Sequence, residues 1–377
     1  MKDVIYLDYS ATTKPDEKVL HHFNYLAENK FANPNSNHLL GLESRALIEE
    51  ATLNISSFLG VDLDEIIFTS GASEANNLAI KGVTLNSTRK QIITTGLEHS
   101  SIFGPVGYLQ KLGYQIDFIN LTKEGVVDIE HLKSLLSEDT LLVSIGAVDS
   151  EIGIRQPIEE IGLLLKDYPD IYLHSDITQC LGKVPIDLSH VDFASFSGHK
   201  IYCFKGIGGL IKKQKIKLAP LVHGGKSTTP FRSGTPATEL ISSLSKSFDL
   251  FKTTLDEKYL YVKKLNNKLQ RELTKYPNVF INSTAHSIPH ILNLSIVGTS
   301  GQDIQKYFEN HHIFFSTKAA CASNENLSRN ILTLTNDPKR AASSIRISLS
   351  YKTTEEELTT LVKLFDQYME ETNHETS

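Results

Sequence analysis

The sequence predicts an α/β fold: a large domain on a mostly parallel, seven-stranded sheet covered by helices, and a smaller α+β domain. Two observations carry this expectation. Between about residues 60 and 215, short β-rich runs alternate with helical patterns. Such alternation sets parallel strands side by side with crossover helices on both faces. The runs are also apolar almost throughout, as strands covered on both sides are.

The seven runs fall at residues 65–69, 91–95, 116–119, 141–145, 171–174, 193–196 and 208–211. Residues 129–136 carry one of the helix patterns between them. At residues 255–275 the pattern changes to a long helix, with Leu255, Tyr259, Val262, Leu265, Leu269 and Leu273 recurring at helical spacing. Strand-like segments follow at 291–296 and 344–349. A capping box from Thr354 to Glu357 opens a last helix, which places Leu358, Leu361, Val362 and Phe365 on one face. The division this implies is a large domain over residues 15–255 and a small one from residues 1–14 and 256–377.

Composition narrows the function classes. With 377 residues, 40% hydrophobic and 22% charged, the chain reads as a soluble globular protein. Its net charge of −6 argues against a nucleic-acid-binding surface. No apolar run approaches the roughly 20 residues of a membrane span, and the first residues hold no signal-peptide core. Cys180, Cys203 and Cys321 are an odd number in a large chain. That fits a reducing cytoplasm, excludes a disulfide framework and matches no zinc spacing. Cys180 and Cys203 read as small buried hydrophobes.

The chemistry-bearing residues fall at strand ends, where ligands bind in open parallel sheets. Lys200 follows the turn Ser197-Gly198-His199 directly after the sixth run. A lysine there is the group that forms a Schiff base with pyridoxal phosphate. Asp176 ends the fifth run, where a carboxylate pairs with the cofactor's pyridinium nitrogen. Gly71, Ala72 and Ser73 follow the first run and open a helix, so small residues and a helix N-terminus there suit a phosphate. His99 follows the second run, placed to stack on the ring and shuttle protons. Gln179 lies within reach of the phenolic oxygen or of the lysine, and Ser197 and His199 flank the lysine as further phosphate donors. Arg232-Ser233-Gly234-Thr235 is another small-residue turn with a hydroxyl. In the C-terminal part, Cys321 sits in a small-residue stretch suited to a nucleophilic thiol. Arg346 interrupts an apolar strand, and a planar guanidinium there suits bidentate capture of a carboxylate.

Taken together, these residues resemble the cysteine desulfurases of the iron–sulfur-cluster type, within the class-V aminotransferase-like, fold-type I pyridoxal-phosphate enzymes. The resemblance runs from Tyr6-Leu7-Asp8-Tyr9-Ser10-Ala11-Thr12-Thr13 to Ser344-Ile345-Arg346-Ile347-Ser348-Leu349. It passes through Asn33-Pro34-Asn35-Ser36 with His38, Thr69-Ser70-Gly71-Ala72, Glu98-His99, Glu151-Ile152-Gly153, Asp176 with Thr178-Gln179, and Ser195 to Tyr202. It continues through His223-Gly224-Gly225, Arg232 to Thr235 and the stretch around Cys321. The resemblance implies that Lys200 bonds the cofactor, Asp176 pairs with its pyridinium, His99 stacks on the ring and Gln179 contacts the phenolic oxygen. It implies that Ser73, Ser197 and His199 hold the phosphate, with Thr235 reaching in from the other subunit of a homodimer. Arg346 then binds the substrate carboxylate and Cys321 receives sulfur from L-cysteine. The sulfur passes from there to an acceptor protein, a cluster scaffold or a tRNA-thiolation enzyme.

The chain departs from the family pattern in places. Asp149-Ser150 stands where two asparagines are usual, the second of which helps hold the substrate carboxylate; Ser150 is shorter and donates one hydrogen bond. Cys203-Phe204 replaces a usual Gly-Pro, and residues 226–230 replace a glycine-rich stretch. Other readings of the same residues are a selenocysteine lyase, a class-V aminotransferase, or a cofactor-binding sulfur-transfer partner with little activity of its own.

Overall fold

The computed structural model describes residues 4–225, 227–317 and 327–375. Its strands are β1 (Ile5–Tyr6), β2 (Ile66–Thr69), β3 (Gln91–Thr94), β4 (Gln115–Phe118), β5 (Thr140–Ser144), β6 (Tyr172–Asp176), β7 (Phe193–Ser197), β8 (Gly208–Lys212), β9 (Val279–Ile281), β10 (Ile291–Ile296), β11 (Ile313–Phe314) and β12 (Ser344–Ser348). Each of the seven apolar runs forms a strand of one sheet, in the order β2-β8-β7-β6-β5-β3-β4. Every residue of β2, β3, β5, β7 and β8 is buried, as expected of strands covered on both faces.

Strand β8 runs antiparallel to both β2 and β7, and the remaining pairings are parallel. The reason is length: only residues 198–207 join β7 to β8, and a parallel return needs a crossover of about a dozen residues or more. Six strands therefore point one way and deliver their carboxyl ends to one edge of the sheet.

A second layer of structure has its own core. Strands β9, β10 and β12 form an antiparallel sheet, and β1 pairs in parallel with β11. The helix Leu255–Leu273 buries Val262, Leu265, Leu269 and Leu273, and the helix Glu355–Glu375 buries Leu358, Leu361 and Phe365. These side chains form one apolar cluster with Leu7, Leu292 and Ile345. The helix Glu355–Glu375 opens with the reciprocal pair read from the sequence: Thr354 N–H donates to Glu357 Oε2 at 2.7 Å, and Glu357 N–H donates to Thr354 Oγ1 at 3.1 Å. Among the described residues, no helix is long and apolar enough to cross a membrane.

The N-terminal stretch stitches the two layers. Leu7 belongs to the C-terminal core, Asp8 bridges Ser348, and Thr13 N–H donates to the His199 carbonyl at 2.8 Å on the other side.

Candidate active site

A cavity of about 1040 Å³, its mouth included, opens at the strand ends of the large sheet. It gathers Ala72, Ser73, His99, Ser150, Asp176, Gln179, Ser197, His199, Lys200 and Arg346. These residues are spread over 275 positions, from 72 to 346, and the sheet topology brings them together.

Lys200 ends the 3-10 turn Gly198–Lys200 that follows β7 directly. Its ammonium donates to the carbonyl oxygens of Ser10 and Ala11, the latter at 2.6 Å. Asp176 ends β6, and both of its oxygens are held: Oδ1 accepts from Thr178 N–H at 3.0 Å and Oδ2 from Asn76 Nδ2 at 2.8 Å.

Asn76 links Asp176 to His99. Its Nδ2 also donates to Ser101 Oγ at 2.8 Å. Ser101 in turn approaches His99 Nδ1 twice, by its hydroxyl at 2.8 Å and its backbone N–H at 3.2 Å. An amide N–H only donates, so Nδ1 is the acceptor and the ring proton of neutral His99 sits on Nε2. Burial pulls His99 below its ordinary pKa; Asp176 opposes this, while Lys200 and Arg329 add to it.

The phosphate-type turn is built from Gly71 and Ser197. Gly71 has φ +149°, a conformation that favours glycine, and caps the helix Ala72–Thr84 without a side chain. A Cβ there would lie 3.2 Å from Ser197 Oγ, the atom that accepts from Ala72 N–H at 2.7 Å. Ala72 and Ser73, the first residues of that 13-residue helix, line the cavity, so its N-terminal end lies at the site. His199 Nδ1 lies 3.1 Å from Thr12 Oγ1, and burial, with Lys200, Lys205 and Lys183 nearby, lowers its pKa to about 4.

Arg346 comes from β12 and is 1% exposed. A guanidinium here suits bidentate capture of a carboxylate, and two of its nitrogens already have partners: Nη2 pairs with Asp8 Oδ1 at 2.7 Å and Nη1 donates to the Ser150 carbonyl at 2.9 Å. Nε has no partner among the described residues. A buried guanidinium needs a counter-charge, and Asp8, carried in by the N-terminal stretch, supplies it. Ser150 thus touches Arg346 through its backbone.

Thr235 does not line this cavity; it lies in a separate recess with Ser70, Gly206 and Arg232. Cys321 lies outside the described residues. The described residues on either side of its stretch are fastened at the cavity: Arg346 N–H donates to the Ser316 carbonyl at 2.6 Å, Ser328 Oγ to Glu151, and Asn330 Nδ2 to Asp149 Oδ2 at 2.6 Å. Cys180 and Cys203 are buried, and burial pushes each thiol up to about 12, far from a reactive thiolate.

Several residues of the site carry no signal in the sequence. Asn76, Ser101 and Asn330 act through contacts made over long sequence separations or within a turn whose geometry the fold decides. Glu98 stands out as a completely buried carboxyl that accepts from Thr95 Oγ1 at 2.7 Å and from Gly146 N–H. Burial pushes it up to about 8; its hydrogen bonds oppose this, and Asp176 and Asp149 add to it.

The donor set fits pyridoxal phosphate. Ser10 Oγ, Thr178 Oγ1 and Arg346 Nε are buried at the cavity and have no partner among the described residues. A helix N-terminus with a glycine at its cap, a fixed carboxylate, an imidazole and a lysine are complements to the phosphate, the ring nitrogen, the ring face and the aldehyde. Fold and site thus define a pyridoxal-phosphate-dependent enzyme of fold type I.

The comparisons with known proteins narrow this class. The family model described as aminotransferase class-V matches residues 5–361. The chain is 36% identical to the cysteine desulfurase IscS of Dictyoglomus turgidum, over 98% of this chain and 95% of that protein. It is 35% identical to the mitochondrial cysteine desulfurase of Saccharomyces cerevisiae, over 95% of this chain and 73% of that one. A solved NifS-like protein superposes with a TM-score of 0.92 at 32% identity, covering 98% of this chain and all of the other. The chain belongs to the class-V aminotransferase family, in its cysteine desulfurase branch, and is a pyridoxal-phosphate enzyme.

Proposed function

We propose that the protein converts L-cysteine to L-alanine and receives the sulfur on Cys321 as a persulfide. The observation that carries this reading is the convergence of Lys200, Asp176, His99 and Arg346 on one cavity. In the reaction the Cβ–S bond of L-cysteine breaks, the Cys321 thiolate takes the sulfur to form Cys321–S–SH, and protons return to carbon to give alanine. When bound, the cofactor supplies an electron sink for the carbon skeleton. The chain's residues do the rest. Lys200 holds the cofactor and moves the proton at the substrate Cα. Asp176, fixed by Asn76 and Thr178, is the carboxyl group that would pair with the pyridine nitrogen. His99, neutral and with Nδ1 occupied, offers a ring face and an Nε2–H. Ala72, Ser73, Ser197 and His199 hold the phosphate, and Gln179 the phenolic oxygen. Arg346 takes the substrate carboxylate with its Nε–H, which has no partner among the described residues, backed by the Ser150 carbonyl.

Residues 15–255 form the cofactor domain and residues 1–14 with 256–377 the small domain, supported by their separate apolar clusters. The protein acts as a cytoplasmic homodimer. The position of Thr235 outside its own subunit's cavity supports a role across the dimer, at the partner's phosphate. The sulfur acceptor is a scaffold for cluster assembly or a tRNA-thiolation enzyme.

Incubation with L-cysteine followed by peptide mass spectrometry tests the nucleophile: a persulfide maps to Cys321, and Cys321→Ser makes no alanine. Full-rate alanine production by that variant would overturn the assignment.

A further inference from the structure

Lys183 is 8% exposed and lies behind the cavity wall. Burying an ammonium is costly unless it is paired, and the charged groups that press on this one are the cations Lys200 and Arg346. His290, also buried, lies close enough for Lys183 to act on it, and the Cys180 thiol is a further neighbour. Lys183 makes no ion pair among the described residues. Its Nζ donates instead to Gln179 Oε1 at 2.6 Å, while Gln179 Nε2 donates to the Ser10 carbonyl at 2.9 Å.

The two partners fix the amide. A side-chain amide has two faces of nearly the same shape, one donating and one accepting. The Ser10 carbonyl only accepts, and Lys183 only donates while it is protonated; burial, with Lys200 and Arg346 adding to it, pulls its pKa down to about 7. Turning the amide over would set N–H against ammonium and carbonyl against carbonyl. One hydrogen of Gln179 Nε2 goes to Ser10, and the other is left at a residue that lines the cavity.

We propose that Lys183 is a positioning residue that locks the Gln179 amide with its N–H side toward the cofactor's phenolic oxygen. This rests on the reading of Gln179 as a cofactor contact. An N–H donor stabilises the ionised form of that oxygen. Losing the orientation therefore lets the bound cofactor keep its proton to higher pH.

The test is a pH titration of the holoenzyme's visible absorption in Lys183→Met, Gln179→Leu and the double variant. Each single variant raises the midpoint by about one pH unit, the equivalent of a tenfold change, and the double variant moves it no further. An unchanged midpoint in Lys183→Met beside a shifted one in Gln179→Leu overturns the proposal, as do shifts that add. An unchanged midpoint in Gln179→Leu alone overturns the reading of Gln179, and the proposal with it. If Lys183→Met does not fold, Gln179→Glu carries the test. Its carboxylate pairs with Lys183 and turns an oxygen to the cofactor, so the midpoint rises at least as far as in Gln179→Leu. A wild-type midpoint there overturns the proposal.

Discussion

The two halves of the cavity are built differently. The cofactor half sits on parallel strand ends, and its groups are locked by neighbours: Asp176 by Asn76 and Thr178, His99 by Ser101, Gln179 by Lys183 and Ser10. The proposed substrate half is Arg346 from a separate antiparallel sheet, already paired with a carboxylate of the same chain, its Nε–H without a partner among the described residues. A permanent ligand calls for groups held in one geometry. A substrate that enters and leaves as a different molecule calls for a charge that is satisfied in its absence, because an unpaired buried guanidinium would cost several kcal/mol. Asp8 gives Arg346 that resting partner.

Four substitutions would break or sharpen this contrast. Lys200→Ala is the most severe. Alanine formation falls by about 10³-fold or more when a catalytic proton carrier is removed, and the visible absorption of the bound cofactor changes with it. Next is Arg346→Ala. Loss of a buried partner for a carboxylate costs about 2–4 kcal/mol of substrate binding, read as a KM for cysteine raised by some two orders of magnitude. The holoenzyme spectrum should stay as it was, and a spectrum altered as much as in Lys200→Ala would show that the halves are not separate. Asn76→Leu works in the other half. It removes one hydrogen bond to a charged group, worth about 1.5–3 kcal/mol, so cofactor release on dilution quickens by about tenfold or more, with KM little moved.

Glu98→Gln is the mildest, and its effect lies in the pH dependence of stability. Glu98 titrates near 8 in the folded chain against 4.5 ordinarily. The folded state therefore holds a proton that the unfolded state has lost throughout that window. Its contribution to stability is fully present below about 4.5 and is lost as pH rises toward about 8. Denaturant titrations of the wild type across this range should show the decline, and Glu98→Gln should flatten it. Equal slopes would mean that Glu98 is ionised throughout.

The fold and the gathering of strand-end residues at one cavity were legible in the sequence for one physical reason. Strand ends are marked locally, by an apolar run that stops, so Asp176 and Lys200 could be placed at the site from their own neighbourhoods. The positions of all seven strands of the large sheet followed from the same signal. The strand order did not, because order depends on which crossovers pack, and neither did the reversal of β8. The locking residues were illegible because nothing near them marks their role. Asn76 meets Asp176 across 100 positions, and Asp149, one of two residues that stand where asparagines are usual, is met by Asn330 across 181. The resting state of Arg346 was missed likewise: Asp8 lay inside a recognised motif, but its contact is made 338 residues away.

That separation bears on how the protein is made. Ile5 and Tyr6 pair with Ile313 and Phe314, Asp8 with Arg346, and Ser348 N–H donates to the Leu7 carbonyl at 2.7 Å. The same stretch presents the Ser10 and Ala11 carbonyls to Lys200. Residues 5–8 cannot dock until residues 313–348 have been made. Domains generally form in order of synthesis, so the large sheet can assemble while its substrate cleft still lacks one wall. A chain cut before β11 would carry Lys200 and the turn at Gly71 but not Arg346, the proposed partner of the substrate carboxylate.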